Sequence, residues 1–296
     1  MKESFYSIKD LEVLSGIKAH TIRIWEKRYN LLEPKRTGTN IRYYCDEDLR
    51  KILNVSMLVK HGKKISKVAE WGSERIRDEI LSMEAVSKNR QDFIGSLIVS
   101  MVNFDEESVN GLLNLAIDTF GFEDAFVKVI FPFFEKVGFY WQVGSIFPAQ
   151  EHYVSNLVRQ KIIAEMERLS NQATRNETIL FFLHEAERHE LSLLFYSVVA
   201  LAGGYRVLYL GQNVPIEDLR SLQRKRNTDF AFTVFLNSID KEQLQDYLIS
   251  LAEIFPGKRV FITGRQVAIH KPSLPRKYKV VASLNDFRKF LGINTA

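Results

Sequence analysis

The sequence predicts a multidomain α and α/β protein: an N-terminal winged helix-turn-helix, a four-helix bundle, and a C-terminal doubly wound parallel sheet of Rossmann-like type. Three observations carry this expectation. Two short amphipathic segments joined at Gly16 precede a glycine-centred hairpin segment from Pro34 to Tyr44. Apolar residues then recur at helical spacing from Gln91 to about Leu169. From about Asn176, apolar runs alternate with helical segments, as in sheets built from strand-helix-strand units. At 296 residues the chain exceeds one ordinary core, which suggests about two or three domains of ~100 residues. The expected boundaries are 1–75 for the winged helix, 76–90 for a polar linker, 91–172 for the bundle and 173–296 for the sheet.

With 46% hydrophobic and 26% charged residues, the composition is that of a globular protein. The segment MKESFYSIKD lacks an apolar signal-peptide core, and no window approaches the ~20 apolar residues of a membrane span. A soluble, cytoplasmic protein without a membrane partner is therefore expected. The single cysteine, Cys45, excludes an internal disulfide and any cysteine-rich metal site. Charge is unevenly distributed: residues 1–75 carry 16 Lys/Arg against 10 Asp/Glu, the remainder 25 against 26. The basic character belongs to the N-terminal domain, which points to an anionic partner such as nucleic acid.

Within that domain, Ser7 to Asp10 has the form of a capping box with aspartate at the third helical position, so a first helix is expected to run to about Ser15. Gly16 makes a turn, and a second helix spans roughly Ala19 to Tyr29. Ile22 and Trp25, three apart, face the core, while Thr21, Arg23, Lys27 and Arg28 lie outside. The second helix of such a pair enters the major groove of DNA. The hairpin segment supplies Arg36, Arg42, Tyr43 and Tyr44, whose guanidinium and hydroxyl groups suit phosphate oxygens.

The runs Tyr6 to Leu11, Thr21 to Tyr29 (TIRIWEKRY), Arg36-Thr37 and Ile41 to Tyr44 (IRYY) resemble the winged-helix DNA-binding domain of the MerR family of transcription regulators, over about residues 5 to 75. The resemblance implies major-groove contacts around Thr21 and Arg23 and phosphate contacts at Arg42 and Tyr44. Metal-sensing members use cysteines near a long dimer helix. This chain has none there, so metal-ion sensing is not expected.

Four amphipathic helices follow, marked by Phe93, Leu97 and Met101; by Val109, Leu112, Leu113 and Ala116; by Phe126, Val129, Ile130, Phe133, Phe134 and Val137; and by Val154, Leu157, Val158, Lys161 and Ile162. Asp105, Gly121 and the stretch Gly144 to Pro148 punctuate them. Trp141 ends the third, and Glu151-His152 open the fourth. Taken singly, an aromatic at a helix end is usually core, and a glutamate near a helix start complements the dipole. Trp141 followed ten residues later by Glu151-His152 is, however, similar to the signature of the helical cap over cobalamin in CarH-type photoreceptor regulators. That resemblance implies a tryptophan over the upper face of the corrin and a Glu-His pair holding the upper axial group. Family members commonly have histidine directly after the tryptophan; here it is Gln142.

Strands are expected at 178–183, 205–210, 229–235, 259–263 and 278–282. A parallel sheet places ligands outside the carboxyl ends of its strands. The loop after the first strand reads His184-Glu185-Ala186-Glu187-Arg188-His189. A histidine there can ligate a metal through one nitrogen while a carboxylate orients the other; solvated charge is the plainer reading of such a loop. Glu187-x-His189-x-x-Ser192, with Gly203-Gly204 and Val207 to Gly211 beyond it, resembles the cobalamin-binding domain shared by CarH-like regulators, methionine synthase and cobalamin mutases. The family motif is D/E-x-H-x-x-G, followed later by serine-x-leucine and a double glycine that line the nucleotide tail. The resemblance implies His189 as the lower cobalt ligand and Glu187 as its orienting partner. Three positions depart from it: Ser192 for the glycine, Thr233-Val-Phe235 for serine-x-leucine, and Thr263-Gly264 for the double glycine. Ser192 and Thr263 add Cβ atoms where the family allows close approach of backbone and cofactor.

The function implied is a DNA-binding transcriptional regulator, not an enzyme, acting on a double-stranded operator. Its oligomeric state, dimer or tetramer, and its DNA affinity would be controlled by cobalamin. Adenosylcobalamin is the form expected first, methylcobalamin second, and a light response would follow from the former. A second reading, supported by the three departures, is a regulator whose degenerate cobalamin domain serves as a protein-interaction or oligomerisation module.

Overall fold

The computed structural model describes residues 6–36, 40–60, 62–72, 74–76, 79, 90–142 and 146–293. Most of the expected linker, together with residues 37–39 and 143–145, lies outside the described residues. The chain divides into two compact units, Met1–Leu157 and Val158–Ala296.

The first unit opens with α1 (Ile8–Ser15) and α2 (Ala19–Tyr29). The capping box forms: Asp10 N donates to Ser7 Oγ at 3.2 Å and Ser7 N to Asp10 Oδ2 at 2.7 Å. Gly16 ends α1 in the left-handed region, φ 70°, where a side chain would be strained. Leu11 and Leu14 are buried, as are Ile22 and Trp25 on α2. The wing consists of β1 (Lys35–Arg36) antiparallel to β2 (Arg42–Tyr43), with Arg36 opposite Arg42. Tyr6 and Tyr44 exchange backbone hydrogen bonds at 2.9 Å, which ties the start of the domain to the wing. In α3 (Asp46–Lys60), Ser56 Oγ and Lys60 Nζ donate to Ser15 O at 2.8 and 3.0 Å, satisfying a carbonyl that α1 itself leaves open. A short α4 (Ile65–Val68) follows.

The helical part comprises α5 (Arg90–Val102), α6 (Glu106–Phe120), α7 (Phe122–Ala125), a π-helical turn at Phe126–Ile130, α8 (Phe131–Gln142) and α9 (Pro148–Leu169), which begins in this unit and ends in the next. Asp105 caps α6 by accepting from Ser108 N. The expected third helix is thus interrupted. Phe131 N donates to Phe126 O, an i→i+5 bond, and Pro132 beside it offers no N–H and crowds the carbonyl four residues back. A widened turn relieves both. Apolar periodicity is blind to such a bulge, because Phe126, Val129, Ile130 and Phe133 remain buried through it.

In the second unit, β3 (Thr178–His184), β4 (Arg206–Val214), β5 (Phe230–Val234), β6 (Arg259–Thr263) and β7 (Tyr278–Val280) form a wholly parallel sheet in the order β4-β3-β5-β6-β7. Alternating helices are α10 (Leu191–Ala202), α11 (Ile216–Lys225), α12 (Lys241–Ile254), α13 (Arg265–His270) and α14 (Leu284–Leu291). Strand β4 runs four residues past its expected end because Gly211, at φ 79°, absorbs a register shift against β3. All residues of β3 are buried, as a strand covered on both faces requires. One face packs rings: Tyr196 lies 4.8 Å from Phe232 and 4.9 Å from Phe287, between centroids. The other packs Leu180, Phe182, Ala231 and Phe235 against Leu244, Leu248 and Leu251 of α12. Each such large apolar side chain contributes roughly 1.5–3 kcal/mol. Chain order reverses between β3 and β5, which makes the carboxyl ends of these two strands the switch point of the sheet.

Candidate functional site

The loop after β3 is held by a buried carboxylate. Glu187 is fully buried; its Oε1 accepts from Arg188 N and His189 N at 3.0 Å and from His189 Nδ1 at 2.9 Å. Its Oε2 accepts from Leu236 N at 2.8 Å and Asn237 N at 2.7 Å, both in the loop after β5. One side chain therefore closes the two loops that flank the switch point. Burial pushes its pKa up, but the hydrogen bonds from His189 and from the Asn237, His189 and Leu236 amides prevail and hold it at about 2. Asn237 Nδ2 donates to Ala186 O at 2.7 Å, and Ala186 adopts φ 68° to make the turn. The His189 side chain is 62% exposed. With Nδ1 engaged by Glu187, Nε2 is the nitrogen a metal would take.

Sequence reasoning missed what stands behind this pair. Glu190, next to the histidine, is nearly buried: its Oε1 accepts from Arg159 Nε on α9 at 2.5 Å, and its Oε2 from Tyr209 Oη on β4 at 3.1 Å. Burial first, and then the Glu190 carboxylate, push the Tyr209 hydroxyl up. Helix α9 is thereby tied to the histidine loop within the second unit. His184 is also buried, stacked on Phe235 with ring centroids 5.1 Å apart, and burial lowers its pKa. It ends a strand rather than lining the loop.

The positions expected for a nucleotide tail behave differently from one another. Thr233 is fully buried, and its Oγ1 has no hydrogen-bond partner among the described residues. Ser192 lies half-buried in the first turn of α10. Thr263 instead donates its hydroxyl to Val281 O at 2.6 Å, a tie between β6 and the chain beyond β7. Gly264 adopts φ 114°, and a Cβ there would sit 2.2 Å from Phe235 O. The approach of two backbones therefore by itself requires glycine at this position. In the first unit, Trp141 is 56% exposed at the end of α8, and Glu151 Oε2 lies 2.8 Å from His152 Nδ1 in the first turns of α9. The Gln142 side chain lies outside the described residues.

On α2, Arg23, Lys27 and Arg28 are exposed, and Thr21, half-buried, has its Oγ1 3.3 Å from His20 Nε2. Arg36 is exposed and donates to Asn40 Oδ1 at 2.7 Å, while Tyr43 is half-buried. Arg42 lies 3.8 Å from Glu26 Oε2. Tyr44 corrects the expected phosphate contact: it is fully buried and its hydroxyl donates to Glu26 Oε1 at 2.5 Å. Glu26 therefore clamps the wing to α2, and burial followed by this bond pushes the tyrosine pKa up. Among the described residues, no helix is long and apolar enough to cross a membrane.

Residues 6–74 match the profile of MerR HTH family regulatory proteins, and residues 94–164 that of a B12 binding domain. The chain is 28% identical over 278 residues to the HTH-type transcriptional repressor CarH of Myxococcus xanthus, covering 92% of both. It is 25% identical over 247 residues to CarA, another HTH-type transcriptional repressor of that organism, covering 81% of this chain and 80% of that one. The fold is shared with a monomethylamine corrinoid protein of Methanosarcina barkeri, with TM-score 0.56 and 15% identity over 69% of this chain and 98% of that one.

Proposed function

The chain joins a MerR-type helix-turn-helix to a CarH-like cobalamin-binding region, and from that premise we propose a transcription regulator whose DNA affinity and oligomeric state respond to adenosylcobalamin and to light. The observation that supports it most is the Glu187–His189 pair at the sheet's switch point, which presents a pre-oriented imidazole at a carboxyl-terminal strand edge. The residues present fit the group: Glu187 orients the His189 imidazole, and the buried Thr233 hydroxyl has no hydrogen-bond partner among the described residues.

When bound, adenosylcobalamin supplies a light-labile carbon–cobalt bond. The chain's own work is to hold and to report. His189 would ligate the cobalt, Glu187 would fix the tautomer of that histidine, and Thr233 and Ser192 would meet the nucleotide tail. In the first unit, Trp141 would supply an apolar surface that excludes water from a bound corrinoid, and Glu151 and His152 would offer it hydrogen-bonding groups. Assembly of several copies would bring several α2 helices to one operator and raise affinity through effective concentration. Arg23, with Thr21, Lys27 and Arg28, would read the major groove, and Arg36 and Arg42, with Tyr43, would meet phosphate.

A second reading, an oligomerisation module without cobalamin, is favoured by the rings of Tyr196, Phe232 and Phe287 that fill the space between β5 and helices α10 and α14. One experiment separates the two. The protein is incubated with adenosylcobalamin in the dark, desalted, and its visible spectrum, size and operator binding are recorded before and after illumination. Retained corrin absorbance with a light-dependent change in size and operator affinity supports the first reading. Absent retention leaves the second.

A further inference from the structure

We propose that the second unit carries another ligand site, for a small polyphosphate such as a nucleotide, at the amino-terminal edge of its sheet. This is the end opposite to His189, and the proposal is independent of any corrinoid. A cleft of about 570 Å³ opens there, within the size range of small-molecule sites, roughly 300–1,000 Å³. Five of its lining residues are cationic, Lys258, Arg259, Arg276, Lys277 and Lys279, against one carboxylate, Asp229. The residues beyond position 75 carry slightly more acid than base, so this is a local concentration rather than a general background.

The single carboxylate is already occupied, since Asp229 Oδ2 accepts from Thr178 N at 2.8 Å at the start of β3. Lys258 is fixed as a wall: its ammonium bonds to Asn227 Oδ1, to Thr228 O and, at 3.2 Å, to Gln223 Oε1. Lys277 is held at φ 93°, an unusual conformation for a lysine, with Nζ 2.5 Å from Gly257 O. The Arg259 guanidinium lies over the Phe230 ring, 4.5 Å from its centroid, and donates to Phe290 O at 3.0 Å. It presents a flat cationic face on which a purine base can stack. Arg276 and Lys279 are exposed and make no ion pair among the described residues. Gathering like charges in a concavity costs Coulomb energy that a multivalent anion offsets, and guanidinium groups bind phosphate oxygens in pairs. The volume of the cleft matches a compact anion.

The test is calorimetric titration of the full chain with ATP, pyrophosphate and adenosine at low salt, repeated on the Arg276→Ala/Lys279→Ala double variant and on Arg36→Ala in the N-terminal domain. Both altered positions in the double variant are exposed, so its fold should persist, checked by circular dichroism. Saturable binding of ATP and pyrophosphate, weakened about tenfold or more by the double variant and unchanged in Arg36→Ala, is expected. ATP binding more tightly than pyrophosphate would add the base to the recognised features. No saturable binding by either phosphate, equal binding in the double variant, or adenosine binding as well as ATP would overturn the proposal.

Discussion

His189 Nδ1 is hydrogen-bonded at 2.9 Å to Glu187, a carboxylate that the same loop buries completely. An exposed imidazole is thereby anchored to an immobile acceptor, and that acceptor reaches across to the Leu236 and Asn237 amides. Orientation of the ring and closure of the two loops are one structural fact.

Removing the acceptor's charge should therefore disturb the histidine before it disturbs the fold. Glu187→Gln is expected to weaken cobalamin retention by about 10–100-fold, and His189→Ala to reduce it at least as much, with far-ultraviolet circular dichroism unchanged. Visible-absorbance titration reads both. Retention equal to wild type in His189→Ala would remove that residue from the site.

The same carboxylate predicts a pH dependence. Its folded pKa of about 2 lies below the ordinary value of 4.5, so its contribution, on the order of 3 kcal/mol, is present above pH ~4.5. It is lost as pH falls through about 2. The stability gap between wild type and Glu187→Gln, measured by urea denaturation, should narrow as pH is lowered from 5. A gap that stays constant over that range would contradict the assignment.

Tyr44 and Arg36 should separate cleanly in DNA binding. Tyr44→Phe loses a hydrogen bond to a carboxylate and should cost about 1–3 kcal/mol of domain stability while leaving the salt dependence of operator binding as it was. Arg36→Ala, at an exposed wing position, should lower the slope of log affinity against log salt by about 1. Equal slope changes in the two variants would place Tyr44 on phosphate after all.

Gly264→Ala forces a Cβ to within 2.2 Å of Phe235 O at φ 114°. A loss of about 3 kcal/mol or more is expected, with a corresponding drop in thermal midpoint even without cofactor. Were stability to hold while corrinoid retention fell, the glycine would owe its place to a ligand.

Much of the architecture was legible in the chain. The bounds of α2, Ala19–Tyr29, follow from a turn glycine and two apolar residues three apart, and β6 occupies its expected span of 259–263. The π-helical turn at Phe126–Ile130 was not legible, because a bulge leaves the apolar stripe intact. Nor was the network behind His189: Glu190 looks like one more solvated charge in a charged loop until Arg159 and Tyr209, 31 and 19 residues distant, are brought to it.

What the sequence by itself determined was the order of domains and the residue types at the site, since periodicity, capping and motif spacing are local properties of a chain. Only the tertiary structure decided which polar groups are exposed. Tyr44 turned inward to Glu26, Glu187 became a buried acceptor for two loops, and Gly264 was bound to its identity by Phe235. Each outcome depends on a partner distant in sequence, and burial of a polar group is tolerated only where such a partner meets it.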